Sequence, residues 1–236
     1  MILKPEDATF LIKETHSRGT VLIGGQAVAF WANHFGIKAR LPALTEDIDY
    51  LGTKAEARRT SGRLSLPHRI RVAKPDDATP SAAVLSIRME GYPDPVLIDY
   101  LAAIIGLDSN AIARSAVLVE YDGHPIRILH PIQLLQSKIW NLHGLESKRT
   151  AEGVEQARLA IEIVAAYVEN AGMKKREMLQ AVEAIGRFAA TAPARYVRDR
   201  FDLDCLKAVP ESVLAPGVLP EAFREKRWPR IQAQAK

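Results

Sequence analysis

Three aspartates and two glycines carry the chemistry this chain could do. Asp47 and Asp49 stand two residues apart in Leu44-Thr45-Glu46-Asp47-Ile48-Asp49-Tyr50-Leu51, a β-like run. Side chains alternate along a strand, so both carboxylates are expected on one face and Ile48 on the other, toward a core. Like charges held side by side repel, and a divalent cation is the obvious relief. Upstream, Leu22-Ile23-Gly24-Gly25-Gln26-Ala27 reads as a short apolar strand that ends in two glycines and runs into a helix. Without a Cβ the backbone there can turn tightly and expose its N–H groups. The start of the next helix adds unpaired N–H groups and the positive end of its dipole, which suits a phosphate. A phosphate cradle beside a carboxylate pair describes a site for a metal-bound nucleoside triphosphate.

A third acid, Asp99, interrupts the apolar run Val96-Leu97-Ile98-Asp99-Tyr100-Leu101. A carboxylate in such a strand is costly to desolvate unless it is paired or binds metal. An edge-strand Asp facing water, or one capping a turn, would look the same. Asp47 and Asp49 elsewhere in the chain tip the balance toward a shared site. The sequence also echoes itself, Asp47-Ile48-Asp49-Tyr50-Leu51 against Leu97-Ile98-Asp99-Tyr100-Leu101, as two strands converging on one place would.

The ordered set Gly24-Gly25, Asp47-x-Asp49 and strand Asp99 resembles the nucleotidyltransferase superfamily, the polymerase-β-like fold. The wording Thr45-Glu46-Asp47-Ile48-Asp49 and the helix around Lys138 look most like its AbiEii-type branch, whose members include toxins of toxin–antitoxin systems. The resemblance covers roughly residues 20 to 140. It implies that Asp47 and Asp49 each contact one or both of two Mg²⁺ ions, and that Asp99 holds the catalytic one. Two Mg²⁺ ions ~4 Å apart need hard oxygen ligands that leave positions for phosphate and water. The implied reaction moves a nucleoside monophosphate from an NTP to a hydroxyl of an acceptor. Pyrophosphate leaves, and Asp99 is placed to accept the hydroxyl proton. The branch further implies an RNA acceptor such as tRNA and an antitoxin protein as partner.

Gln26 departs from the pattern, since many members carry a Ser there whose hydroxyl contacts phosphate. Phosphate binding then falls to Gly24 and Gly25 N–H groups, the Gln26 amide, and Lys or Arg side chains. The Thr45 hydroxyl could touch a phosphate or simply hydrogen-bond the backbone. Lys138, in Leu134-Leu135-Gln136-Ser137-Lys138-Ile139, is implied to contact the triphosphate; an exposed helix Lys would read the same way. The branch often has a Lys-Asp pair further on, and Ser147-Lys148-Arg149-Thr150 supplies its basic part without the acid. Lys54, Arg58, Arg59 and Arg63 could bind phosphate or RNA, although a solvated helix face explains them more simply.

These residues need elements to hold them. The 236 residues are 47% apolar and 25% charged, enough for a sizeable core and against global disorder. The net charge of +4 permits a nucleic-acid partner without requiring one. Cys205 is the one cysteine, so an intramolecular disulfide and a Cys-based zinc site are excluded, and a reducing cytoplasm fits. Met1 to Phe10 lacks the apolar core of a signal peptide, and no apolar run is long enough to span a bilayer, so no membrane association is expected. The six histidines show no pair at metal-ligand spacing, and there is no P-loop or nucleophile elbow.

Periodicity predicts helices over 5–18, 25–34, 54–63 and 108–114, and strands over 21–23, 46–51, 69–72, 84–89, 96–101, 116–121 and 125–129. Asp122-Gly123 marks a hairpin. From Pro131 on the texture is helical, with segments at 132–143, 151–170, 175–190, 195–206 and 211–228. The expected architecture is α/β (α+β): a nucleotidyltransferase-like mixed sheet flanked by helices over residues 1–130, then a helical domain over 131–236. Two other classes compete with the enzyme. One is a catalytically inactive nucleotide-binding or protein-interaction module of the same fold; the other is a metal-dependent glycosyltransferase, for which the chain is short.

Overall fold

The structure is a computed structural model and describes residues 3–39, 46–74, 76–77, 79–170 and 172–235. The chain divides into two compact units, Met1–Phe30 with Ala43–His130, and Trp31–Pro42 with Pro131–Lys236.

The first unit carries α1 (Pro5–Thr15), β1 (Val21–Ile23), the start of α2 (Gly24–His34), β2 (Ile48–Leu51), α3 (Lys54–Arg63), β3 (His68–Val72), β4 (Ser81–Ile87), β5 (Val96–Leu101), α4 (Ser109–Ser115), β6 (Val117–Tyr121) and β7 (His124–Ile128). Its strands form one mixed seven-stranded sheet in the order β3-β4-β5-β2-β1-β7-β6. β2 and β5 are central and parallel, and their matching sequences pair residue for residue, Ile48 with Ile98 through Leu51 with Leu101. Alternation then sorts the side chains. Ile48, Tyr50, Ile98 and Tyr100 are wholly buried, whereas Asp49 and Asp99 are only half-buried.

Helix α1 covers the tyrosine face. The Tyr50 and Tyr100 rings lie 5.5 Å apart. The hydroxyls of Tyr50 and Thr15 are hydrogen-bonded at 3.0 Å, and the Tyr100 hydroxyl donates to the Thr15 carbonyl at 3.3 Å. Thr60 of α3 donates to that same carbonyl at 3.3 Å. Burial pushes both phenols up, Tyr100 to about 12, so both stay neutral and their hydroxyls need these partners. At the far edge, β6 and β7 join through Asp122 (φ 47°) and Gly123 (φ 77°), the two positive φ values of the hairpin turn that this dipeptide predicts.

The second unit is helical: α5 (Pro131–Gly144), α6 (Ala151–Glu169), α7 (Lys175–Ala189), α8 (Ala192–Phe201) and α9 (Trp228–Ala235). Leu135, Ile139, Val164, Val182, Ile185 and Val197 belong to its core. Arg149 closes the end of α5, donating to the carbonyls of Leu142 at 2.9 Å and His143 at 2.7 Å. The same guanidinium stacks 5.4 Å over the Tyr196 ring. Among the described residues, no helix is long and apolar enough to cross a membrane.

Several boundaries differ from the sequence expectation. The strand predicted over 46–51 starts only at Ile48, with Glu46 and Asp47 in a bend. The helix predicted over 195–206 runs from Ala192 to Phe201. Pro193 sits in its first turn, where a missing N–H costs nothing, and Asp202 in a left-handed conformation (φ 56°) ends it. The segment 211–228 is no single helix: a 3-10 turn at Glu211–Leu214 and a π-turn at Phe223–Arg227 precede α9, with Gly217 at φ 84° between them.

Two histidines make the first unit sensitive to acid. Burial, aided by Arg127 and Arg63, lowers His16 to about 4, and its Nε2 accepts the Arg127 backbone N–H at 3.0 Å. Burial alone lowers His130 to about 4. Both are neutral when folded, and the unfolded chain takes up their protons first as pH falls below 6.5. Their contribution is therefore complete above that pH and is lost on descending to about 4, at most on the order of 3 kcal/mol each. Melting curves between pH 7 and 4.5 should show a steep fall in Tm that is shallower in His130→Gln. Equal slopes in the two proteins would contradict a neutral buried imidazole.

Candidate active site

The acids meet because of strand register. Ile23 at the end of β1 pairs with Asp49, and Asp49 pairs with Asp99 on the neighbouring parallel strand. The row continues from Asp99 to Val84 on β4 and from Val84 to Arg71 on β3. Directly paired residues share a sheet face, so Arg71, Val84, Asp99, Asp49 and Ile23 cross five strands on the side opposite the tyrosines.

Gly24 follows Ile23 and opens α2. Its φ is +68°, and a Cβ built there would lie 2.0 Å from Asp49 Oδ2. Only glycine meets both demands, a left-handed backbone and a carboxylate in contact with it. The Asp49 carboxylate thus lies against the first residue of a helix, whose opening N–H groups have no partner within the helix. Gly25 is buried in that first turn and Gln26 is half-buried.

Asp99 is the strained member. Ser81 donates to its Oδ2 at 2.8 Å, while its Oδ1 is buried without a hydrogen-bond partner. Burial raises its pKa, and the Asp49 charge pushes the same way; the Ser81 hydrogen bond and the Arg71 charge offset only part of this. A buried, unpaired carboxylate oxygen costs stability, and its persistence calls for an explanation.

The remaining predicted residues are placed as follows. Asp47 is half-buried in the bend before β2, so strand alternation does not position it beside Asp49. Among the described residues no three His, Cys, Asp or Glu side chains gather closely enough to hold a metal ion. Thr45 lies outside the described residues. Lys138 is buried within the helical unit, where its Nζ donates to Gln156 Oε1 at 2.8 Å. Three of the four cations of α3 have structural partners: Lys54 donates to the Ala73 carbonyl at 2.7 Å, Arg59 pairs with Glu56, and Arg63 reaches the carbonyls of Glu14 and His16, while Arg58 is exposed. Ser81 and Arg71 were not among the sequence candidates. Arg71 left a trace in Arg69-x-Arg71, two like charges at strand spacing. Ser81 left none, because its contact depends on a register shift between Ser81 and Ala83.

No known protein family matches the chain, and no curated protein matches its sequence. Among solved structures, the chain is similar to a Helicobacter pylori protein provisionally described as a nucleotidyltransferase, with a TM-score of 0.45, 12% identity, and coverage of 99% of this chain and 94% of that one. It is also similar to JHP933 from Helicobacter pylori, with a TM-score of 0.41, 14% identity, and coverage of 99% and 91%. At these values the likeness assigns no residue and no activity to this chain.

The site should trade stability for its charge. Asp99→Asn removes a disfavoured charge while keeping an acceptor for Ser81, and should raise the Tm of the ligand-free protein at pH 7 by about 2–4 °C, roughly 1 kcal/mol. Because the folded pKa of Asp99 is raised, the wild type regains this difference as pH falls through that value. The gap should therefore close near pH 4, and a variant less stable at pH 7 would mean the carboxylate is well satisfied. Gly24→Ala should cost about 2 kcal/mol or more in urea denaturation, since a strained φ and a blocked Asp49 add together.

Proposed function

We propose that the protein is a Mg²⁺-dependent nucleotidyltransferase, moving a nucleoside monophosphate from an NTP to a hydroxyl of an acceptor. One observation carries this reading: Asp49 and Asp99 stand in register on adjacent parallel strands, with the Asp49 carboxylate against Gly24 at the start of α2. The donor set suits the cation. Asp99 Oδ1 is buried and unpartnered, and carboxylate oxygens are the hard ligands Mg²⁺ takes. Asp49 and Asp99 would hold it, with Asp47 as a further ligand from the bend before β2. Bound there, Mg²⁺ would offset the triphosphate charge and make the attacking hydroxyl more acidic.

The chain's own groups have distinct parts. The N–H groups of Gly24 and Gly25 and the Gln26 amide would seat phosphate oxygens at the helix start, and the resemblance adds the Thr45 hydroxyl as a phosphate contact. The acceptor oxygen bonds to the α-phosphorus as the bond to the bridging oxygen breaks, and pyrophosphate departs. Asp99, with its raised pKa, is suited to take the hydroxyl proton. Lys138 belongs to the helical unit, and its role as a triphosphate contact rests on the resemblance alone. The AbiEii-type resemblance adds an RNA such as tRNA as acceptor and an antitoxin protein as partner.

A second reading, a nucleotide-binding or interaction module without turnover, is favoured by the lack of a three-acid cluster among the described residues. Melting in the presence of ligands separates the two. NTP with Mg²⁺ should raise Tm by several degrees at concentrations well above Kd, and Asp49→Ala should abolish the shift. A shift that needs no Mg²⁺ would favour the module, and one seen only with sugar nucleotides a glycosyltransferase. Label transfer from an α-labelled NTP, absent in Asp49→Ala and Asp99→Asn, would complete the case. No transfer to RNA, protein or small hydroxyl acceptors would sink it.

A further inference from the structure

The acid pair has anion-attracting features on both of its sides along the sheet. On the β1 side lies the start of α2, where the proposed function seats the triphosphate. On the other side, across β4, lies β3, the edge strand of the sheet. Register places Arg71 in the same row as Asp99 through Val84, and Arg69 in the row of Leu97 through Ser86. Both arginines therefore stand on the face that carries Asp49 and Asp99. Both are exposed, whereas the alternate residues His68, Ile70 and Val72 are half-buried. Of the α3 cations, Lys54, Arg59 and Arg63 are engaged by protein groups, and Arg58 is a lone exposed arginine on a helix, without the paired i, i+2 spacing of the strand.

Two positive side chains at i and i+2 of an edge strand are about 7 Å apart along it. That repeat is comparable to the separation of successive phosphates in a polynucleotide. Arginine is also the residue best shaped for bidentate phosphate contact. A transfer reaction needs two substrates to approach its acids from different directions. Here one direction ends at a helix start and the other at an arginine stripe.

Resting on the reading above, we propose that Arg69 and Arg71 are positioning residues that bind the phosphodiester backbone of a single-stranded nucleic-acid acceptor, which reaches the acids from the β3 edge. The acceptor is thus polyanionic, and a neutral small-molecule hydroxyl has no use for this stripe. The two arginines contact phosphates, not bases, so they set affinity and position, with little sequence preference.

Binding of a fluorescent single-stranded RNA to the full chain, without NTP or Mg²⁺, tests this independently of catalysis. The variant Arg69→Gln/Arg71→Gln should bind at least about tenfold more weakly at low salt, and its log–log salt dependence should be shallower by about 1.4. Arg69→Lys/Arg71→Lys should recover most of the affinity. The thermal shift with NTP and Mg²⁺ should survive in the Gln variant, whose own Tm reports that the fold is intact. Unchanged RNA binding in the Gln variant, or no RNA binding by the wild type, would overturn the proposal. So would loss of the NTP shift with RNA binding intact, which would give the arginines to the triphosphate. If the wild type binds RNA through this stripe but shows no NTP shift, the stripe stands as an RNA-binding surface, and its assignment to an acceptor falls with the transferase reading.

Discussion

The parallel pairing of β2 with β5 is the contact on which the rest of the first unit depends. Four residues of each strand match in type, and the ladder sets them side by side. On one face this stacks two tyrosines over α1, with both hydroxyls anchored at Thr15. On the other it forces two carboxylates together. A shift of one residue in either strand would bury its acid and expose its tyrosine, so the hydrophobic face itself holds the acidic face in place. Position in the sheet adds to this, because both strands are internal and have no freedom to slide.

The face that carries the acids is built against its own stability. Asp99 is desolvated, repelled by Asp49, and left with one oxygen unpaired. Ser81 offsets part of this through a hydrogen bond to the other oxygen. Gly24 adds a further constraint, because its left-handed backbone and its contact with Asp49 each exclude a side chain. Strain of this kind persists where the surroundings over-determine it, and it accumulates at functional sites more than elsewhere. The tyrosine core beneath supplies the over-determination.

In the helical unit Lys138 and Arg149, which drew notice in the sequence, are held by protein groups. Lys138 lies among apolar neighbours on α5, and its ammonium is held by Gln156 of α6. Arg149, in the basic run after α5, is spent on two helix-end carbonyls and a tyrosine ring. On α6, Arg158 lies between Glu155 and Glu162 and is kept fully charged by both. The partners of Lys138 and Arg149 lie on another helix or an earlier turn, and the local sequence does not name them; those of Arg158 follow the i, i+3 and i, i+4 spacing of one helix.

The sequence by itself determined most helices and strands of the first unit, the alternation that turns Ile48 away from Asp49, and the hairpin at Asp122-Gly123. All of these rest on local physics: side-chain periodicity, glycine's access to positive φ, and the apolar content of short runs. The echo between residues 47–51 and 97–101 pointed to two strands converging on one place; that they pair side by side in parallel is seen only in the structure. The tertiary structure alone decided which charges meet. Asp47, two residues from Asp49 in the chain, falls outside the strand because regular pairing begins at Ile48. Ser81 reaches Asp99 only through an irregularity in the β4 register, and Arg71 joins the same row only because β3 and β4 fold back beside β5. Such meetings are set by register between distant segments, and register is a property of the packed sheet, not of any one stretch of the chain.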